Sequence, residues 1–208
     1  LLVMVNAPIA ADWTGATVGR GSMNAPQKKR FDMIVRTAFV TIVGMTFSVS
    51  TAFAGGITEE AIIAAQTEWG EGIVAIAQTH AEGGDFAARA TDHINDLYAY
   101  GLTDVMFKPT LAAEDQFRET FDEALSYFIG TAGSEDTGFA IKGWTNVRWE
   151  NNGIFTSDDA ATAMGNYYFT GPDGAETKVE YSFGYVQDEN GDLKINLHHS
   201  SLPYAPAS

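Results

Sequence analysis

From Thr58 to Phe128 the apolar residues return mostly at intervals of three and four. Ile62, Ile63, Trp69, Ile73, Val74 and Ile76 predict a first helix. Thr58 is its N-cap, and Glu59 and Glu60 complement the dipole in its first turn. Gly70 and Gly72 weaken its middle and mark a candidate kink. Gly83-Gly84-Asp85 ends it and caps a second helix reaching about Tyr100, with Phe86, Ala90, Ile94, Leu97 and Tyr98 on one face. Val105-Met106-Phe107 predicts a short strand, closed by Lys108-Pro109. Phe117, Phe121, Ala124, Leu125 and Phe128 predict a third helix from about Glu114 to Ile129.

Beyond Gly130 the period falls to two. Strands are predicted over Phe139–Glu150, Ala161–Thr170, Thr177–Val186 and Leu193–Ser201. Asn151-Asn152-Gly153, Gly171-Pro172-Asp173-Gly174 and Asp188–Asp192 are the predicted turns between them, and Pro203 stops the last strand. Thr177, Val179, Tyr181, Phe183 and Tyr185 share one face. Helices followed by an antiparallel meander define an α+β domain, with the helices packed on one face of a curved sheet.

Charge divides the chain. Up to Ala54 there are five basic and two acidic residues, which leaves seven basic and 25 acidic in 55–208, a balance of −18. Met23 opens a basic run, Thr37–Phe53 is apolar, and Ala52-Phe53-Ala54 is an A-x-A site. That order predicts a secretory signal peptide over 23–54, cleaved after Ala54, with 1–22 as an upstream or non-native segment to which no structural role is given. The expected product is a single domain over 55–208 in the periplasm or secreted, with no stable membrane insertion after cleavage. An uncleaved anchor is the competing reading, since the apolar run is just long enough to span. The acidic balance argues against nucleic acid and anionic membrane surfaces as partners.

Zero cysteines exclude a disulfide framework, an iron–sulfur cluster and a thiol nucleophile. The four histidines, His80, His93, His198 and His199, lack the spacing of a three-ligand zinc site. No cofactor is therefore expected; a zinc or manganese site of scattered ligands is the alternative, without support from ligand spacing. Acidic pairs such as Asp158-Asp159 lie in turns without the EF-hand spacing, and the glycines form no dinucleotide fingerprint. On the last strand strict alternation places Ile195, Leu197, His199 and Ser201 on one face, continuing an apolar side. His199 and Ser201 are thus expected inside. Thr110 follows the short strand, and Tyr127 falls at the margin of the third helix's apolar stripe, where a phenol can bury its ring and aim its hydroxyl at a polar pocket. The bland reading of all four is ordinary hydrogen-bonded residues.

Phe107-Lys108-Pro109-Thr110-Leu111, Ala124–Phe128, Met164–Phe169, Val179–Tyr185 and above all His198-His199-Ser200-Ser201-Leu202-Pro203 resemble the iota class of carbonic anhydrases over most of 57–204. The resemblance implies the cone-shaped fold of nuclear-transport-factor-2-like domains, a homodimer, and reversible hydration of carbon dioxide to bicarbonate, in some members without metal. It carries the catalytic residues onto Thr110, Tyr127, His199 and Ser201. Phe107, Phe128 and Tyr181 would form the apolar wall that takes carbon dioxide. His199, with an ordinary pKa near 6.5, would relay or accept the proton. Two alternatives stand beside this. One is a non-catalytic ligand-binding or oligomerisation domain of the same fold. The other is an isomerase or dehydratase with a pocket carboxylate, a role that Asp92, Asp96 and Glu180 do not fit by position.

Overall fold

The computed structural model describes residues 56–206, so the expected signal peptide and upstream segment lie outside the described residues. Helix α1 spans Glu59–Ala81, and its N-cap Thr58 accepts the Ala61 N–H. The helix is continuous through Gly70 and Gly72. Those glycines allow close approach: a Cβ at Gly70 would press on Val147 and Trp149, and one at Gly72 would collide with the His93 imidazole. Helix α2 spans Phe86–Leu97 under the Asp85 N-cap, and β1 is Met106–Lys108.

Helix α3 begins at Phe121, not at Glu114, and ends at Ile129. Thr120 and Glu123 form a capping box that fixes the start, and Phe117, expected on the apolar stripe, is exposed in the loop before it. The next strand is likewise shifted. β2 spans Asn146–Thr156, and Phe139 and Ala140 instead donate N–H groups to the Tyr127 and Phe128 carbonyls at the end of α3. Asn151-Asn152-Gly153 is not a hairpin turn. Asn152 is an extra residue in β2, between the pairs Asn151–Gly165 and Gly153–Met164. Gly165 receives this bulge because a side chain there would meet the Glu150 carbonyl. The chain reverses later, at Ser157–Asp159, into β3 (Ala160–Thr170).

β4 (Glu176–Gln187) and β5 (Leu193–Ser201) complete a five-stranded sheet in the order β1-β5-β4-β3-β2. Pairs are antiparallel except β1 with β5, so the sheet is mixed and not the purely antiparallel one expected. Both long helices and α3 lie against its inner face. Val179, Tyr181, Phe183 and Tyr185 of β4 point inward as predicted, whereas Thr177 at the strand's start is exposed. Trp69 sits at the centre of the core, its ring within 6.2 Å of His93, Trp149, Tyr167, Phe169, Phe183 and His198. Aromatic packing of this kind adds to the area term for burying such rings.

Candidate active site

The last strand does not alternate without interruption. Tyr185 pairs with Ile195, but Gly184 pairs with Leu197, so Asn196 is an unmatched bulge residue. One extra residue exchanges the two faces of everything beyond it. Ile195 points inward before the bulge, and His198 and Ser200 point inward after it, each 3% exposed. His199 is exposed and Ser201 half-buried on the outer face, where Ser201 Oγ donates to Glu180 at 3.3 Å. The expectation that His199 and Ser201 face the interior is therefore corrected. Gly184 makes room for the bulge: a Cβ there would lie 2.9 Å from Leu197 Cβ and 3.0 Å from Asn196 Oδ1. The bulge also falls where the partner on the far edge of β5 changes. Tyr98 bridges to Ile195, and β1 takes over from Leu197 onward.

Inside, the polar side chains fall into two neighbouring groups. Trp69 Nε1–H meets the Tyr98 hydroxyl at 3.0 Å, and that hydroxyl lies 2.8 Å from His198 Nδ1. The Tyr167 hydroxyl lies 3.4 Å from His198 Nε2. Next to His198 on the inner face of β5, Ser200 Oγ is 2.9 Å from Thr110 Oγ1. Phe107 stacks on the His198 ring at 4.5 Å between centroids, and Phe183 packs on it at 4.1 Å. Burial, with the nearby His199 and His93 adding to it, holds the His198 imidazole well below its ordinary pKa, so it is neutral. Burial likewise pushes the Tyr98 and Tyr167 phenols up and keeps them protonated.

Thr110 owes its place to the loop that follows it. Glu135 carboxylate oxygens accept the N–H groups of Ala113, Glu114 and Asp115 at 2.8 to 3.2 Å. Arg118 is buried and pairs with Asp136 at 2.6 Å, and its guanidinium also donates to the Asp115 and Phe117 carbonyls. Asp136 accepts from Ser126 as well, which ties the loop to α3. Tyr127 rises from α3 into the same corner. Its ring stacks on Phe139 at 5.6 Å and meets Phe107 edge-on at 5.7 Å. Burial raises its pKa, against the opposing pull of the Leu111 and Thr110 backbone N–H groups near its oxygen.

Of the seven residues expected at the site, Thr110, Tyr127, Phe107, Phe128 and Tyr181 face the interior or its rim, and His199 and Ser201 do not. Phe128 is one layer behind Phe107, against His93 and Tyr98. Tyr181 holds its hydroxyl in a second cluster, donating to Asn151 and accepting from Gln66 Nε2 at 3.2 Å. Sequence reasoning missed Trp69, Tyr98, Tyr167, His198 and Ser200 as a buried set. A glycine inside an otherwise aromatic strand, Gly184, was the available sign of the bulge. Among the described residues no group of three or more His, Cys, Asp or Glu side chains is placed to hold a metal ion.

A five-stranded sheet with helices on one face, enclosing buried hydroxyls among aromatic rings, defines an α+β protein with its candidate site in the core. Residues 60–202 match the family described as metal-independent carbonic anhydrase, and the chain belongs to that family. A metal-independent carbonic anhydrase from Nostoc sp. (strain PCC 7120) is 43% identical over 153 residues, covering 71% of this chain and 75% of the relative. The crystal structure of a cyanobacterial iota-carbonic anhydrase complexed with bicarbonate superposes with a TM-score of 0.70 at 41% identity, over 73% of this chain and 95% of that one. A nuclear transport factor 2-like protein from Salmonella enterica is similar at 15% identity with a TM-score of 0.39, over 70% of this chain and 96% of that one.

Proposed function

We propose that this chain catalyses the reversible hydration of carbon dioxide to bicarbonate and a proton, without a metal, at the pocket of Thr110, Ser200, Tyr127 and Tyr167. The observation that carries the reading is the Thr110–Ser200 hydroxyl pair, 2.9 Å apart beside the buried His198. Family membership and the bicarbonate bound by the solved relative support the choice of substrate. Phe107, backed by Phe128, supplies an apolar wall suited to carbon dioxide, and the Tyr181 ring packs beside Tyr167 at 5.3 Å. As water's oxygen bonds to carbon, a π electron pair moves onto a carbon dioxide oxygen. Hydroxyl donors already aimed at that oxygen stabilise the charge without reorganising. Holding water and carbon dioxide together contributes further through orientation. The water's proton leaves to solvent buffer.

The remaining parts of the reading concern place and assembly. We assign the domain to the periplasm or the secreted fraction, after cleavage behind Ala54, from the basic, apolar and A-x-A order alone. A homodimer is supported by the outer sheet face, where Phe155 is 66% and Met164 53% exposed. The function is tested with purified protein treated with a chelator, by following carbon dioxide hydration in a stopped-flow instrument with a pH indicator. Catalysis that survives chelation is expected. No rate above buffer, with or without added zinc or manganese, would overturn the proposal.

A further inference from the structure

The directions of the hydrogen bonds inside the core can be read from one residue that has no choice. An indole N–H donates and never accepts. Trp69 therefore donates to Tyr98, and the Tyr98 proton has His198 Nδ1, 2.8 Å away, as its acceptor. The opposite arrangement, with His198 Nδ1–H donating to Tyr98, would leave the buried Tyr98 O–H without a partner, at about 1–3 kcal/mol. A neutral imidazole that accepts at Nδ1 carries its proton on Nε2. That proton points at the Tyr167 oxygen, 3.4 Å away, so Tyr167 accepts from His198 and cannot donate back to it.

The consequence reaches the substrate. Thr110 and Ser200 together hold two hydroxyl protons, and their mutual bond uses one, whichever of them donates. With Nε2 protonated, the Tyr167 O–H has lost its acceptor on His198 and is available to the neighbouring Ser200 oxygen; the second proton is then left for the pocket, which offers a donor to a carbonate oxygen. If His198 carried its proton on Nδ1, Tyr167 would donate to Nε2 instead. Its oxygen would then accept the spare hydroxyl proton, and only lone pairs would face the substrate. Two buried residues that do not touch the hydroxyl pair thus select between a donor site and an acceptor site.

We propose that Trp69 and Tyr98 are positioning residues that lock His198 as the Nε2–H tautomer, so that Thr110 and Ser200 present a hydroxyl proton to bicarbonate. On this account His198 orients its neighbours and does not take the substrate's proton, since both its ring nitrogens are engaged. The low pKa imposed on His198 by burial fits that role. The inference rests on Thr110 and Ser200 being the substrate site, and its first test does not.

That test is nitrogen NMR of the full chain labelled with ¹⁵N-histidine, with the His198 signals assigned by their loss in His198→Asn. The one-bond proton coupling is expected on Nε2, with Nδ1 bare. A proton found on Nδ1, or on both nitrogens at neutral pH, would overturn the lock. The second test compares Tyr98→Phe with the wild type in bicarbonate dehydration. Removing the phenol frees Nδ1, so a mixed or reversed tautomer is expected, with KM for bicarbonate raised about tenfold, the size of one hydrogen bond. An altered tautomer with unchanged KM would overturn the link to the substrate. A lowered melting temperature with tautomer and KM unchanged would reduce Tyr98 to a packing residue and overturn the proposal. If the wild type shows no activity while its proton sits on Nε2, it is the carbonic anhydrase reading that fails and not the lock.

Discussion

Replacing Ser200 by alanine and, separately, Ser201 by alanine sets the observed register of β5 against strict alternation. Ser200 is 3% exposed and bonded to Thr110, and its loss removes the hydroxyl pair from the pocket. One uncharged buried hydrogen bond of this type is worth about 1–3 kcal/mol when a partner is orphaned. Felt fully in the transition state, that is roughly a 5- to 150-fold loss in kcat/KM. Ser201 points to the outer face and touches only Glu180, at 3.3 Å, so its replacement is expected to change kcat/KM by less than about twofold and stability by less than about 0.5 kcal/mol.

The assay is stopped-flow carbon dioxide hydration on both variants, with a urea denaturation curve for each to separate folding from catalysis. Ser200→Ala is expected to stay folded, because the side chain is small and the aromatic packing around it is untouched. The reverse pattern, Ser201→Ala impaired tenfold and Ser200→Ala active, would refute the bulge at Asn196 as the feature that chooses the catalytic face.

Two further outcomes concern stability. His93 is buried and its pKa is pushed down to about 3 by burial, with Arg89 adding to the effect. The unfolded imidazole, near 6.5, binds a proton the folded one refuses, so stability is present above about pH 6.5 and lost as pH falls toward 3. Between pH 8 and pH 5 this one group removes about 2 kcal/mol, and His198 acts in the same direction, so the urea midpoint should fall measurably. A midpoint unchanged over that interval would contradict the burial of both rings. Asp136→Asn leaves the Arg118 guanidinium buried without its closest counter-charge; breaking such a pair destabilises by about 3–5 kcal/mol. A thermal denaturation shift worth less than about 1 kcal/mol would show that Arg118 does not pin the loop carrying Thr110.

What the amino-acid pattern revealed, and what it hid, follow from the range of the forces involved. Both long helices and the alternating core of β4 were legible because each is set by residues close in sequence: Thr58 and Asp85 as caps, and Val179, Tyr181, Phe183 and Tyr185 at period two. The true start of α3 was also written locally, in the three-residue spacing from Thr120 to Glu123 that makes a capping box, but the apolar Phe117 drew the helix too far upstream. Register is different in kind. Whether His198 or His199 faces inward is decided by Asn196, and Asn196 can be extra only because Gly184 on the neighbouring strand lacks a Cβ and because Tyr98 and β1 divide the far edge of β5 between them. Three segments distant in sequence thus fix one residue's face. The same holds for the two polar groups, whose members Trp69, Tyr98, Thr110, Tyr167, His198 and Ser200 come from α1, the end of α2, the loop after β1, β3 and β5. The HHSSLP run marks where the chemistry lies because it supplies two histidines and two serines at adjacent positions. The alternation of a strand guarantees that one of each pair faces the core, and the bulge determines which.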